Sequence, residues 1–150
     1  IMLSPKKLNR FLMFKLPSAF FTGVRVTAIS ESNCEVRVRH RWINQIPFRS
    51  MFFAVQAMAA ELSTGALVLS HIYSQKQKVS MLVARNESEF TKKATGKITF
   101  RCEDGLLAQQ KIKEALTTQQ GCTFWMESKG TDSKGEVVSI FRFEWTVKGK

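Results

Sequence analysis

The chain has 150 residues, 44% hydrophobic and 11% aromatic, values of a single globular domain that exclude general disorder and leave enough chain to bury a core. Its 23 Lys and Arg against 12 Asp and Glu give a net charge of +11, which favours polyanions such as nucleic acid, anionic lipid or phosphorylated small molecules without choosing among them. Cys34, Cys102 and Cys122 form no CxxC pair, and His40 and His71 lack metal-ligand spacing; the expectation is three reduced thiols in a cytoplasmic protein, with no metal and no cofactor.

Residues 4–16, SPKKLNRFLMFKL, read as a short amphipathic helix. Ser4 suits its cap and Pro5 its first turn. Leu8, Leu12 and Leu16, helped by Phe11, form an apolar stripe at helical spacing, and Pro17 ends it. The run FLMF is too short for the core of a signal peptide. A strand follows near 22–30, where Val24, Val26 and Ala28 alternate with polar or oppositely facing neighbours, and Ser32-Asn33 makes a turn. In 34–42 the alternation is clear. Cys34, Val36, Val38, His40 and Trp42 share one face, while Glu35, Arg37, Arg39 and Arg41 share the other, the pattern of a half-solvated antiparallel strand.

A loop over 43–49, with Asn44, Gln45 and Pro47, leads into the segment SMFFAVQAMAAELSTGALVLSH, residues 50–71. Phe52, Val55, Ala59, Leu62, Ala66 and Leu69 keep near-helical spacing and predict a core stripe. Ala54, Ala57, Glu61 and Gly65 lie on a neighbouring seam. The segment is long enough to span a bilayer, but Gln56 and Glu61 lie within it, a carboxylate at the bilayer centre is costly, and no second span follows. A buried central helix is the expectation.

Beyond it, 78–84 and 94–102 read as strands, with Ile98, Phe100 and Cys102 facing one way. A helix over 106–118 comes next. A last hairpin pairs 121–129 with 136–147 around GTDSKG, with Val137, Ser139, Phe141, Phe143, Trp145 and Val147 on one face. One long helix among about six amphipathic strands predicts a single α+β domain over 1–150, its antiparallel sheet curled around that helix. The aromatics of the last strand share its core face, so they do not interleave with basic residues as nucleic-acid binding requires.

The stretch N44-QIPFRS-MFFAVQAMAAELSTG65 resembles hotdog-fold acyl-CoA thioesterases, especially the phenylacetyl-CoA thioesterase-like branch. There an Asn-containing loop runs into a helix of the form HGGxxxxxxD/ExxxG. Glu61 falls on the acid position, Gly65 follows it by four, and Asn44 matches the loop asparagine. The resemblance covers residues from about 20 to 147 and is closest to an uncharacterised subfamily that keeps this helix without its histidine. It implies a hotdog homodimer or tetramer whose partner is an acyl-CoA or related thioester. The family's histidine position holds Phe52, and its paired glycines are Phe53 and Ala54. Those two residues keep the N–H groups that would face a thioester carbonyl, but their side chains narrow the approach.

Two readings of each candidate stand side by side. Glu61 is a catalytic carboxylate, acting as base or nucleophile, or a structural ion-pair partner. Asn44 is a second catalytic candidate. Ser50 caps the long helix, or positions substrate together with Phe52 and Gly65. Lys92, Lys93, Lys97 and Arg101 contact the phosphates of coenzyme A, or belong to solvated strand faces. The resemblance thus implies an acyl-CoA thioesterase; the alternative is a hotdog protein that binds an acyl group or acyl-CoA without turnover.

Overall fold

The structure is a computed structural model and describes residues 3–150. Ser4 Oγ accepts the Lys7 N–H at 3.2 Å and Pro5 occupies the first turn, so α1 runs Pro5–Lys15. Pro17 does end this helix, but it also opens a second, α2 (Pro17–Phe21), because a proline fixed near helical φ suits a first turn. Strands β1 (Arg25–Ile29) and β2 (Cys34–Arg39) pair antiparallel. β2 stops short of the expected residue 42: Trp42–Asn44 form one 3-10 turn, and the Trp42 side chain is 84% exposed rather than in the core.

The central helix α3 is Phe53–Tyr73. It begins three residues later than read from the sequence, and its N-cap is Phe52 with no side-chain cap bond. Ser50 is therefore not the cap; it is buried in the preceding loop, where its carbonyl accepts the Ile46 N–H at 2.9 Å. Strand β3 covers Val79–Phe90, six residues beyond the expected end at 84. Then follow β4 (Lys97–Cys102), α4 (Gly105–Thr118), β5 (Cys122–Thr131) and β6 (Val137–Gly149).

All six strands join one antiparallel sheet in the order β1-β2-β4-β5-β6-β3. The alternation predicted for the inner strands holds: Val36, Val38, Ile98, Phe100, Phe141, Phe143 and Val147 are all buried. Close packing shows at Gly130, where a Cβ would lie 2.5 Å from the Phe100 ring; only a glycine leaves room there. Cys34 and Cys102 sit opposite each other across β2 and β4, and burial pushes both thiols up to about 12, which leaves them unreactive.

The sheet curls around α3, which is long and apolar enough to cross a membrane but is here the core helix. Val55, Ala59, Ala60, Ser63, Leu67 and His71 are buried against its surroundings. Three polar ties fix its register. Ser63 Oγ donates to Ser128 Oγ at 2.7 Å, Ser139 Oγ to Gln56 Oε1 at 2.8 Å, and Trp145 Nε1–H to Thr64 Oγ1 at 2.9 Å. Of the predicted stripe, Val55, Ala59 and Ala66 are buried, but Phe52 is 43% exposed and Leu62 and Leu69 are only half-buried. Their surroundings define the candidate site.

Candidate functional site

Helical spacing puts Met58, Glu61, Leu62, Gly65 and Leu69 on one side of α3. Across from them lie Leu8, Phe11 and Leu12 of α1, the link of residues 15–18, and Met81 and Trp145 of the sheet. Together they enclose a cavity of about 520 Å³, within the range of roughly 300–1,000 Å³ usual for small-molecule sites. Its wall is almost wholly apolar. Among the described residues, Glu61 is its one carboxylate and Lys15 its one cation. Gly65 brings Trp145 close, since a Cβ there would stand 3.2 Å from the indole ring.

No cation lies within ion-pair distance of Glu61 among the described residues, and the surrounding apolar protein desolvates its carboxyl, raising the pKa above the ordinary value of 4.5. The side chain still reaches solvent at the cavity mouth. A carboxylate that is partly desolvated, unpaired and wet is poised as a base. The buried acid Glu144 has a structural setting instead: Arg85 Nε donates to it at 3.0 Å.

Of the candidate site residues named from the sequence, Glu61 and Gly65 meet at this cavity. Phe53 and Ala54 open α3 eight and seven residues before Glu61, about 12 and 10 Å along the axis at 1.5 Å per residue. Their N–H groups are the first of the helix, which intrahelical bonding leaves without acceptors. The Phe52 and Phe53 rings meet edge to face at 5.2 Å, and Phe53 meets Phe90 at 6.4 Å, so aromatic side chains flank this end.

Asn44 has a different task from the one expected. Its amide donates to the carbonyls of Thr22 at 3.0 Å and Arg39 at 2.9 Å, and its Oδ1 accepts the Arg41 N–H at 2.8 Å. Both amide protons are therefore spent on backbone. Its own carbonyl accepts the Phe52 N–H at 2.8 Å, so Asn44 holds the loop against the start of α3.

The four phosphate candidates divide. Lys92 pairs with Asp132 at 2.9 Å and with Glu136. Arg101 pairs with Glu35 at 2.8 Å and Glu103 at 3.0 Å, beside a shallow groove that also holds Asp104 and Glu127. Both cations are thus held in surface ion pairs. Lys97 opens β4 opposite Arg39. Lys93 is exposed and precedes Ala94, whose carbonyl accepts the Met51 N–H at 2.8 Å just before α3. His71 bonds the Glu31 carbonyl through Nε2 at 2.9 Å, and His40 Nε2 meets Gln45 Oε1 at 3.2 Å; neither faces the cavity.

Sequence reasoning found α1 but not its role as a wall of this cavity. The signal was present in Leu8, Phe11 and Leu12, an apolar face that needs a partner surface.

A family model described as "Domain of unknown function (DUF4442)" matches residues 5–147. No curated protein matches the chain by sequence. Among solved structures, the chain is similar to PA5026 of Pseudomonas aeruginosa, described as a protein of unknown function and "Probable Thioesterase", with a TM-score of 0.83, 23% identity and 99% of both chains covered. It is also similar to thioesterase HI1161 of Haemophilus influenzae, with a TM-score of 0.73, 12% identity, and 99% of this chain and 93% of that one covered. A variant of thioesterase PA1618 from Pseudomonas aeruginosa gives a TM-score of 0.73 at 13% identity, over 99% and 96% of the two chains. The sheet wrapped around α3 is the hotdog fold these proteins share, and with the family match running from α1 through β6 the chain belongs to the DUF4442 family.

Proposed function

We propose that this protein is an acyl-CoA thioesterase with Glu61 as its catalytic carboxylate. The observation that carries the reading is a single acid, with no cation at ion-pair distance among the described residues, in a largely apolar cavity of about 520 Å³. Such a chamber suits an aliphatic or aryl acyl group, and a desolvated carboxylate at its mouth suits activation of water. Glu61 takes a proton from the water, and the water oxygen attacks the thioester carbonyl carbon. The carbonyl electron pair moves onto oxygen, and the tetrahedral intermediate then collapses, breaking the C–S bond and releasing coenzyme A as thiolate. The first N–H groups of α3 stabilise the oxyanion.

Within one chain those N–H groups and Glu61 are separated by about two helical turns. One thioester reaches both only if two protomers supply them, so the reading includes a homodimer. Lys93, beside the segment that leads into α3, is the remaining exposed candidate for a coenzyme A phosphate. The alternative, binding without turnover, draws support from the exposed Phe52 and Phe53 at the helix start.

Glu61→Gln keeps the shape of the side chain and removes the base. Hydrolysis of an acyl-CoA panel, followed by thiol release, is expected to fall on the order of a hundredfold or more, while desulfo-coenzyme A binding and the fold persist. Wild-type rates equal to those of the variant across the panel would establish the binding protein instead.

A further inference from the structure

The basic charge of this chain has a local concentration that the thioesterase reading does not use. Residues 5–30 contain Lys6, Lys7, Arg10, Lys15 and Arg25 and no acid. Lys6, Lys7, Arg10 and Lys15 all lie on α1, and all four are exposed. Leu8 and Leu12 anchor the helix, which turns Lys7, Arg10 and Phe14 outward together, since they follow one another at steps of three and four. Phe14 is 71% exposed in the midst of these cations. Phe21 at the end of α2 is 68% exposed and Leu16 in the link 46%.

The mouth of the cavity lies beside this face, at the end of α1 and the link into α2. The lining residues that reach solvent are Lys15, Leu16, Pro17 and Ser18 on one side and Glu61 on the other. Exposed aromatic and aliphatic tips ringed by Lys and Arg are the chemistry of a surface helix seated in an anionic bilayer interface, the rings entering the acyl boundary and the cations meeting phosphate headgroups. A soluble acidic protein would satisfy the cations but leave Phe14 and Phe21 without a reason to face water.

We propose that the α1–α2 face docks on anionic lipid membranes and sets the cavity mouth against the bilayer. Docking uses no catalytic group. An acyl chain then enters the cavity from lipid without crossing water, a consequence that rests on the acyl-binding reading above.

The test is co-sedimentation of the full chain with vesicles of phosphatidylcholine alone and of phosphatidylcholine mixed with phosphatidylglycerol, at low and high salt. Binding is expected only to the anionic vesicles and to weaken with salt. Lys7→Gln with Arg10→Gln is expected to weaken it more than tenfold, at roughly fivefold per charge. Phe14→Ser with Phe21→Ser is expected to reduce it tenfold or more, from the lost burial of two rings. Lys113→Gln with Lys134→Gln, which removes the same charge from α4 and the β5–β6 turn, is expected to leave it unchanged. Both outward rings are surface residues, and circular dichroism melts of each variant confirm that the fold is retained.

No binding to anionic vesicles at low salt overturns the proposal. So does equal weakening by the two charge-removing pairs, which would mean diffuse attraction, and so does indifference to the two Phe substitutions. Loss of an oligomer on Phe14→Ser with Phe21→Ser, without loss of vesicle binding, would assign the face to a second copy of the chain. Because sedimentation needs no turnover, and the substitution removes an anionic charge from the mouth, Glu61→Gln is expected to bind vesicles at least as well as the wild type. Failure of docking is thus read separately from failure of hydrolysis.

Discussion

Glu61 is the only acid on α3, and its setting has a consequence for stability. Desolvation holds its folded pKa above the unfolded value, so over that interval the folded chain binds more protons than the unfolded one. Stability is then lost as pH rises through the folded pKa and is fully recovered below the ordinary value. Glu61→Gln is accordingly expected to raise the melting temperature at neutral pH, with the gain vanishing below about pH 4. Melts of both proteins across pH check this; a Gln variant less stable than the wild type at neutral pH would mean that Glu61 has a stabilising partner. With Glu61 as the base proposed above, the hydrolytic rate is expected to fall on acidification through the same raised pKa, because the base must be ionised. A side chain that weakens the fold at working pH and lines a cavity is what a functional carboxylate costs.

At the scale of elements, α3 carries polar residues on the side it turns to the sheet. Thr64 accepts from the Trp145 indole at 2.9 Å, and both side chains are buried. Thr64→Val keeps the volume but leaves a buried N–H without its acceptor. The expected loss is about 1–3 kcal/mol, measured by denaturant unfolding of the two proteins. Trp145→Phe in the Thr64→Val background removes the orphaned donor, so its further cost should be smaller than in the wild type, and a double-mutant cycle reads the difference. The same tie holds Trp145 against Gly65 in the cavity wall, so loosening it is also expected to alter the acyl-chain preference of hydrolysis.

The whole molecule has two sheet edges, and they are treated differently. At β1 the Asn9 side chain of α1 acts as a short extra strand, accepting the Val26 N–H at 2.8 Å and donating to the Val26 carbonyl at 2.9 Å. At the other edge β3 runs for 12 residues, exposed at every position from Ala84 to Phe90. An open edge of that length is a template for another strand, and two copies pairing through β3 satisfy it with closed symmetry. Sedimentation at micromolar concentration is expected to show two chains or a multiple of two, with the outward-facing β3 amides protected in hydrogen exchange. A folded monomer with freely exchanging β3 amides would refute the pairing and the composite site together.

The local code of this chain determined its elements wherever one side of an element faces apolar protein and the other water. The period of two in β2, β4 and β6 and the length of α3 are read directly from residue order, since burial on one face imposes that period. β3 escaped beyond residue 84 because its outer half has no buried face; VARNESEF has no alternation to read, and only the ladder to β6 makes it a strand. Glu61 and Gly65 were legible as a pair at helical spacing, but their cavity was not. Leu62 and Leu69 are apolar whether they meet a packed core or an open chamber, and periodicity cannot distinguish the two. Nor could charge counting show that Lys92 and Arg101 are spoken for, because their partners Asp132, Glu136 and Glu35 lie far away in sequence. Which apolar face stays open and which cation stays unpaired depend on what the sheet brings across from distant strands, and those contacts exist only once the chain is folded.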